Sequence, residues 1–313
     1  MEKLNYEKVF CTLVDKTREY IQNNNLGAMV LGISGGIDST VVAAICHEVS
    51  KQTGIPLIGR SLPIKNKNDE FSTSKLVGEA FCDNFEVTNL YEVFNKFLTL
   101  VDGDNLVSLK RTPIADGNIQ ARLRMIYLYN LASIHKGLVL STDNQTEYQL
   151  GFWTIHGDVG DFNPLFGLWK TEVYELANYI KECYIECWEE YDIVEPQYHH
   201  YKRIVEALDA SIKLTPTDGL GISNSDLEQI GAKDYDTVDD ILSRFVPFEN
   251  FRKSYDSAGQ IMHPHDEMSE SDCWSQLCAR HGEDVVNKVW SRHLASEFKR
   301  KNLPVVIERE LYI

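Results

Sequence analysis

Hydrophobic positions along the first half of the chain alternate between two patterns. Val9, Leu13, Val14 and Ile21 recur at helical spacing within residues 3 to 24, and Gly27 closes that segment. Ala28 to Ile33 is instead short and continuously apolar, as expected of a strand buried on both faces. The alternation continues with a helix over Asp38 to Val49, a strand over Ile55 to Leu62 and a helix over Asp69 to Phe81. A third strand falls over Phe85 to Thr88, with helices over Tyr91 to Leu100 and Asn118 to His135. A fourth buried strand runs from Leu138 to Ser141. This order predicts an α/β fold: a parallel twisted sheet of about five strands with helices on both faces. Right-handed crossovers bring every strand C-terminus to one edge, where ligands of such sheets bind.

The second half is less regular. A helix opens at Lys170 and runs to Lys181, and residues 283 to 301 form a last helix before an extended tail over Pro304 to Ile307. Residues 183 to 203 show no clear period. Residues 243 to 282 mix Pro, Gly, His and acidic residues and read as a surface insertion in an otherwise single domain with a helical C-terminal part.

Composition narrows the partners. The formal net charge of −16 disfavours nucleic-acid binding, because so negative a surface repels phosphate backbones. An anionic ligand then requires a locally positive pocket. Seven scattered cysteines do not form a disulfide framework, and Cys183, Cys187, Cys273 and Cys278 lack tight zinc-ligand spacing. The N-terminus lacks a signal-peptide core, and no apolar run reaches the roughly 18 residues needed to span a bilayer. The expectation is a cytoplasmic protein without membrane partners.

The stretch LGISGGIDST, residues 31 to 40, carries the strongest chemical signal. Gly35 and Gly36 allow a sharp turn after a buried strand and close approach of an anion. The helix that follows offers free N–H groups and a positive dipole end, and Ser34 and Ser39 add hydroxyl donors. Asp38 would repel phosphate, which makes sense if Mg²⁺ lies between them. The string is neither a Walker loop nor G-x-G-x-x-G.

SGGIDS resembles the pyrophosphate loop of the N-type ATP pyrophosphatases, which cleave ATP between the α- and β-phosphates to adenylate a substrate oxygen. Two further stretches are similar to NAD synthetases of the ammonia-dependent type. In GNIQARLRMIYLY, residues 117 to 129, Arg122 shares a helix face with Ile119 and Ile126, so it needs an anion partner. A structural salt bridge would also satisfy it, and the resemblance makes it a contact to the dinucleotide substrate. The second stretch, residues 140 to 170, matches the family pattern at Thr142, Glu147, Asp158, Asp161, Pro164 and Lys170. The resemblance implies that Thr142 and Lys170 bind ATP, that Glu147 and Asp38 hold Mg²⁺, and that Asp161 binds the substrate. More weakly, Pro216-Thr217-Asp218 resembles an ATP-contacting stretch, and Glu297-Phe298-Lys299-Arg300 a substrate-contacting one that includes Lys299.

Three departures fall on the dinucleotide side. Ile155 and Phe298 replace the family's Lys and His, and the acidic loop reads Gly-Asp-Val-Gly. His156 is the candidate substitute for the missing lysine. The implied reaction amidates deamido-NAD with ammonia through an acyl-adenylate, in a homodimer, with the residues left over too few for a glutaminase domain. Adenylation of a different acid, or nucleotide binding without turnover, remain the alternatives.

Overall fold

A computed structural model describes residues 3–64, 68–103, 112–217, 225–258, 269–301 and 305–306. The first half holds α1 (Tyr6–Asn23), β1 (Met29–Gly32), α2 (Ile37–Thr53), β2 (Leu57–Ser61), α3 (Asn68–Phe81), β3 (Asn84–Val87), α4 (Tyr91–Gly103), α5 (Pro113–His135) and β4 (Leu138–Val139). The four strands form one parallel sheet in the order β3-β2-β1-β4. The chain builds outward from β1 through β2 to β3, then crosses back to lay β4 on the other side of β1. The order therefore reverses between β1 and β4, and loops leaving their C-terminal ends diverge around a crevice.

The layering follows from β1 itself. Met29, Leu31 and Ile33 join one apolar cluster, with residues of α1, α2 and α3. Ala28 and Val30 join another, with Phe94 of α4 and Met125, Leu128 and Ala132 of α5. Alternate side chains of a strand point to opposite faces, so a strand apolar at every position is covered on both.

The fourth strand is shorter than its apolar run. Leu140 makes one parallel bridge to Phe162 of β5 (Phe162–Asn163), and the Ser141 N–H donates to the Phe162 carbonyl at 2.8 Å. The sheet thus continues to a fifth position, and β6 (Val305–Val306) pairs with β5 beyond it. Part of the predicted tail is this strand; Pro304 and Ile307 lie outside the described residues.

Between β4 and β5 lies the short α6 (Gln145–Leu150). The second half is helical: α7 (Lys170–Glu189), α8 (Pro196–Lys213), α9 (Asp226–Ile230), α10 (Tyr235–Ala258), α11 (Glu270–His281) and α12 (Glu283–Ala295), then a 3₁₀ turn over Glu297–Lys301. Residues 183 to 203, without a clear period in sequence, turn out to belong to α7 and α8. Aromatic residues pack the two helices: Tyr184 and Tyr191 lie 6.0 and 5.7 Å from the Tyr201 ring, and Trp188 lies 5.4 Å from Tyr198. Rings with polar tips carry the apolar stripe here, which a count of aliphatic residues misses.

Residues 243 to 282 are not a surface excursion throughout. Phe245, Cys273 and Leu277 are buried in a third apolar cluster with Ile241, Val286 and Val289. Each of α10, α11 and α12 contributes a few apolar positions, too few to mark a stripe singly. One carboxylate ties α10 to α11. Asp240 accepts from Arg244 Nε at 2.8 Å, from Arg280 Nη1 at 2.8 Å and from His281 Nε2 at 2.7 Å. Burial works against its charge, but the hydrogen bond from His281 and the bond and charge of Arg244 outweigh it and draw Asp240 down to about 2. A carboxylate depressed in the folded state contributes fully above its unfolded pKa, and that contribution fades as pH falls from about 4 through about 2. Asp240→Asn should cost about 1–2 kcal/mol at pH 7 in denaturant unfolding. The difference from wild type should shrink in melts at pH 3.

Candidate active site

The turn after β1 is shaped by one close approach. Gly35 has φ of +88°, and a Cβ there would stand 2.6 Å from the Ser74 nitrogen and 2.9 Å from the Glu70 carbonyl oxygen. Only glycine lets the turn lie against the backbone of α3. Ser34 Oγ accepts from the Gly36 N–H at 3.2 Å and lies 3.0 Å from Ser39 Oγ, whose hydroxyl bonds the Gly36 carbonyl at 3.0 Å. No side chain caps the N-terminus of α2. Its first-turn amides and the positive end of its dipole are therefore available to an anion, as the sequence predicts.

Asp38, in the first turn of α2, faces residues from the far side of the crevice. Its Oδ1 accepts from Asn144 Nδ2 at 2.8 Å and its Oδ2 from Lys170 Nζ at 2.5 Å. The same ammonium donates to Glu147 Oε1 at 2.9 Å. Asn144 and Glu147 also cap α6 reciprocally. The Glu147 N–H donates to Asn144 Oδ1 at 3.0 Å and the Asn144 N–H to Glu147 Oε2 at 3.3 Å. Lys170 opens α7, and its own N–H is held by Thr146 Oγ1 at 2.8 Å. The Thr146 hydroxyl in turn donates to the buried Asp239, which also accepts from the Thr171 N–H at 3.0 Å.

Lys170 is 2% exposed. Burial works against its charge, but Asp38 and Glu147 outweigh it and hold the ammonium well above its usual range. Burial first, and then the charge of Asp38, push Glu147 up to about 8 despite Lys170. Burial and the charge of Asp158 push Asp143 up to about 7, although Ser141 Oγ donates to it at 2.6 Å. The pocket holds more carboxylate than one ammonium can neutralise.

These groups border a cavity of about 540 Å³, within the range of small-molecule sites. Ser34, Gly36, Asp38, Thr142, Glu147 and Lys170 all line it. Thr217 does too, and its hydroxyl donates to Glu70 at 2.8 Å; Asp218 lies outside the described residues.

The acyl-side expectations fare differently. Arg122 is exposed and donates to the Ile155 carbonyl at 3.1 Å, and its face-mate Ile126 is 67% exposed. Ile119 on the same face is only partly buried, so the apolar surroundings that would oblige Arg122 to find an anion are incomplete. His156 is exposed, with φ of +56°, and does not line the cavity. Asp161 fastens its loop to the sheet, accepting from the Val139 N–H at 2.9 Å and from the Tyr129 hydroxyl at 3.0 Å. Lys299 lines the cavity and donates to the carbonyls of Gly151 at 2.6 Å and Trp153 at 2.5 Å.

Among the lining residues that escaped the sequence reading are Asp143, Arg124 and Arg292. Asp143 adjoins Thr142, and its neighbour Asn144 was legible as the start of an Asn-x-x-Glu capping box. Arg124, two residues after Arg122, is the arginine of that string that borders the cavity; its Nε donates to the Leu62 carbonyl at 3.0 Å. Arg292, on α12, stands alone in sequence, and no local pattern marks it.

A sequence model of NAD synthase matches residues 9–303. The chain belongs to the NAD synthase family. Among its relatives is the NH3-dependent NAD(+) synthetase of Pyrococcus furiosus, 30% identical over 247 residues, which cover 79% of this chain and 81% of that one. The corresponding enzyme of Campylobacter jejuni is 32% identical over 178 residues, 56% of this chain and 69% of that one. Two solved structures share the NAD synthase fold seen here. NMN synthetase from Francisella tularensis superposes with a TM-score of 0.66 at 23% identity, over 97% of this chain and 99% of that one. NH3-dependent NAD synthetase from Campylobacter jejuni, in complex with the nitrate ion, gives 0.59 at 20% identity, over 97% and 100%.

The ion triad predicts a stability effect within this NAD synthase fold. Lys170→Ala strands two carboxylates in the crevice and should cost about 3–5 kcal/mol in denaturant unfolding. Adding Asp38→Asn should recover part of that loss.

Proposed function

We propose that this chain makes NAD by ATP-dependent amidation of deamido-NAD with ammonia, releasing AMP and pyrophosphate. The observation that carries the reading is the uncapped N-terminus of α2 behind the Ser-Gly-Gly turn, set against Asp38, Glu147 and Lys170 in a chain of the NAD synthase family.

A carboxylate is unreactive toward ammonia until one of its oxygens becomes part of a leaving group. The nicotinate carboxylate attacks the α-phosphorus of ATP, the bond to the bridging oxygen breaks, and pyrophosphate departs. The α2 amides and the Ser34 hydroxyl receive its oxygens, while buried Ser39 braces the turn through the Gly36 carbonyl. Lys170 spends two of its three hydrogens on Asp38 and Glu147, and the third serves a phosphate oxygen. Ammonia then attacks the acyl carbon and AMP leaves with the oxygen it acquired. Positioning and fixed charge supply the rate, without a covalent enzyme intermediate.

The donor set suits Mg²⁺. Two carboxylates approach one another and are short of positive charge, as the raised Glu147 shows. Among the described residues no cluster of three or more His, Cys, Asp or Glu is arranged to hold an ion alone. Asp38 and Glu147 would hold Mg²⁺, which would supply positive charge against the pyrophosphate as it leaves. Asp38→Ala should lower ATP–pyrophosphate exchange by about 10²-fold or more. Exchange close to wild type would remove Asp38 from the site.

The acyl side supports a second reading, amidation of nicotinate mononucleotide. Of the expected contacts to the dinucleotide, Arg122, Asp161 and His156 do not border the cavity, and Lys299 does. Incubating the purified chain with ATP, ammonia and each acid in turn, and measuring AMP, separates the readings. Deamido-NAD should be the better substrate by kcat/KM, and AMP formation with neither acid refutes both.

A homodimer and a cytoplasmic location complete the proposal. Among the described residues no helix is long and apolar enough to cross a membrane. Ile114, Ile126 and Ile134 on α5 and Val93 and Leu100 on α4 are each at least half exposed. An apolar surface of this kind marks a protein interface. Sedimentation equilibrium should give a dimer, and the double variant Ile126→Glu, Ile134→Glu should sediment as a monomer.

A further inference from the structure

Beyond Glu147 the cavity wall carries Lys299 and Arg292, with the carboxylates of Asp158 and Asp226 near them. Lys299 gives two of its three hydrogens to the Gly151 and Trp153 carbonyls. Arg122 is turned outward onto the Ile155 carbonyl. Arg292 is arranged differently. Its guanidinium carbon stands 3.7 Å from the centre of the Phe152 ring, and its Nε donates to the Leu150 carbonyl at 3.3 Å.

Those two contacts fix the plane of the guanidinium and spend only one of its nitrogens. Nη1 and Nη2 have no hydrogen-bond partner among the described residues, and the side chain borders the cavity beside Phe152. Burial disfavours the charge, and Asp226 is the carboxylate that offsets it. A half-buried guanidinium held flat, with its outer edge open, has the geometry for bidentate pairing with a carboxylate or phosphate.

Its anchor on α6 sets it apart from the acids around Lys170. Leu150 ends α6, and Glu147 lies three residues earlier, about 4.5 Å along the axis at 1.5 Å per residue. Arg292 is therefore anchored about one turn beyond the acids that face the triphosphate. With ATP on the α2 side, as the proposed function has it, an anion on this wall is assigned to the other substrate. Capping the α6 C-terminus does not explain the arrangement fully, because Nε alone makes that bond.

Resting on the function proposed above, we infer that Arg292 is a specificity-determining residue whose Nη1–Nη2 edge binds an oxyanion of the acyl substrate. That oxyanion is the nicotinate carboxylate or the phosphate on its ribose.

The test is steady-state kinetics of the full chain with Arg292→Ala and Arg292→Lys. Arg292→Ala should raise KM for deamido-NAD about tenfold or more and leave KM for ATP within about twofold. Arg292→Lys keeps a cation at the end of α6 but not the planar fork. It should melt like wild type and retain the raised KM, and it carries the test if the alanine variant does not fold. Nicotinate riboside, which bears the carboxylate without the phosphate, distinguishes the two oxyanions when used as an inhibitor. A weakened inhibition constant in the variants assigns the carboxylate, and an unchanged one assigns the phosphate. An unmoved KM for deamido-NAD, an equal rise in KM for ATP, or full recovery by lysine each overturns the inference. Absence of AMP from the wild-type chain would instead defeat the functional reading itself.

Discussion

The crevice is organised by one buried ammonium. Lys170 lies between Asp38 of α2 and Glu147 of α6, so α2 meets two segments more than a hundred residues further along the chain at a single charge. Each of the three is positioned by something else. The Ser-Gly-Gly turn sets the start of α2, the Asn144 cap sets α6, and Thr146 with Asp239 holds the start of α7. A cation at the N-terminal end of a helix opposes the dipole, and the two acids supply the compensation. The arrangement is still short of positive charge, which suits a site that takes up its ligand together with a divalent ion.

The sheet explains why these segments can meet. Strand order reverses between β1 and β4, so the loops after them part around one opening. The turn after β1 brings amides and hydroxyls, and the loop after β4 brings Thr142, Asp143 and the capped helix with Glu147. The C-terminal helices then close the far wall, with Arg292 on Phe152 and Lys299 on the carbonyls of Gly151 and Trp153. One end of the cavity is thus acidic and suited to a metal-bound triphosphate. The other carries cations and carboxylates together, Lys299 near Asp158 and Arg292 near Asp226.

Legibility in the sequence followed the range of the interactions. The strands and helices of the first half announced themselves because each satisfies its own apolar period, as β1 does with alternate residues facing two clusters. The Ser-Gly-Gly turn was legible because glycine, serine and aspartate act within six consecutive residues. The α10–α12 cluster was not, since Phe245, Leu277 and Val289 come together only in three dimensions. The same limit applies to the acyl side. Arg122 was read on an apolar helix face whose Ile126 proves exposed, while Arg124 and Arg292 reach the cavity through packing that spacing alone does not encode. Lys170 was read as a cation in search of an anion; it has two within the protein.

The central claim is that the groups around Lys170 direct a carboxylate onto the α-phosphorus of ATP. Turnover of deamido-NAD labelled with oxygen-18 in its carboxylate tests this most directly, with the products read by phosphorus NMR. One labelled oxygen should appear in AMP, and none in pyrophosphate. Unlabelled AMP, or label in orthophosphate, would contradict the account.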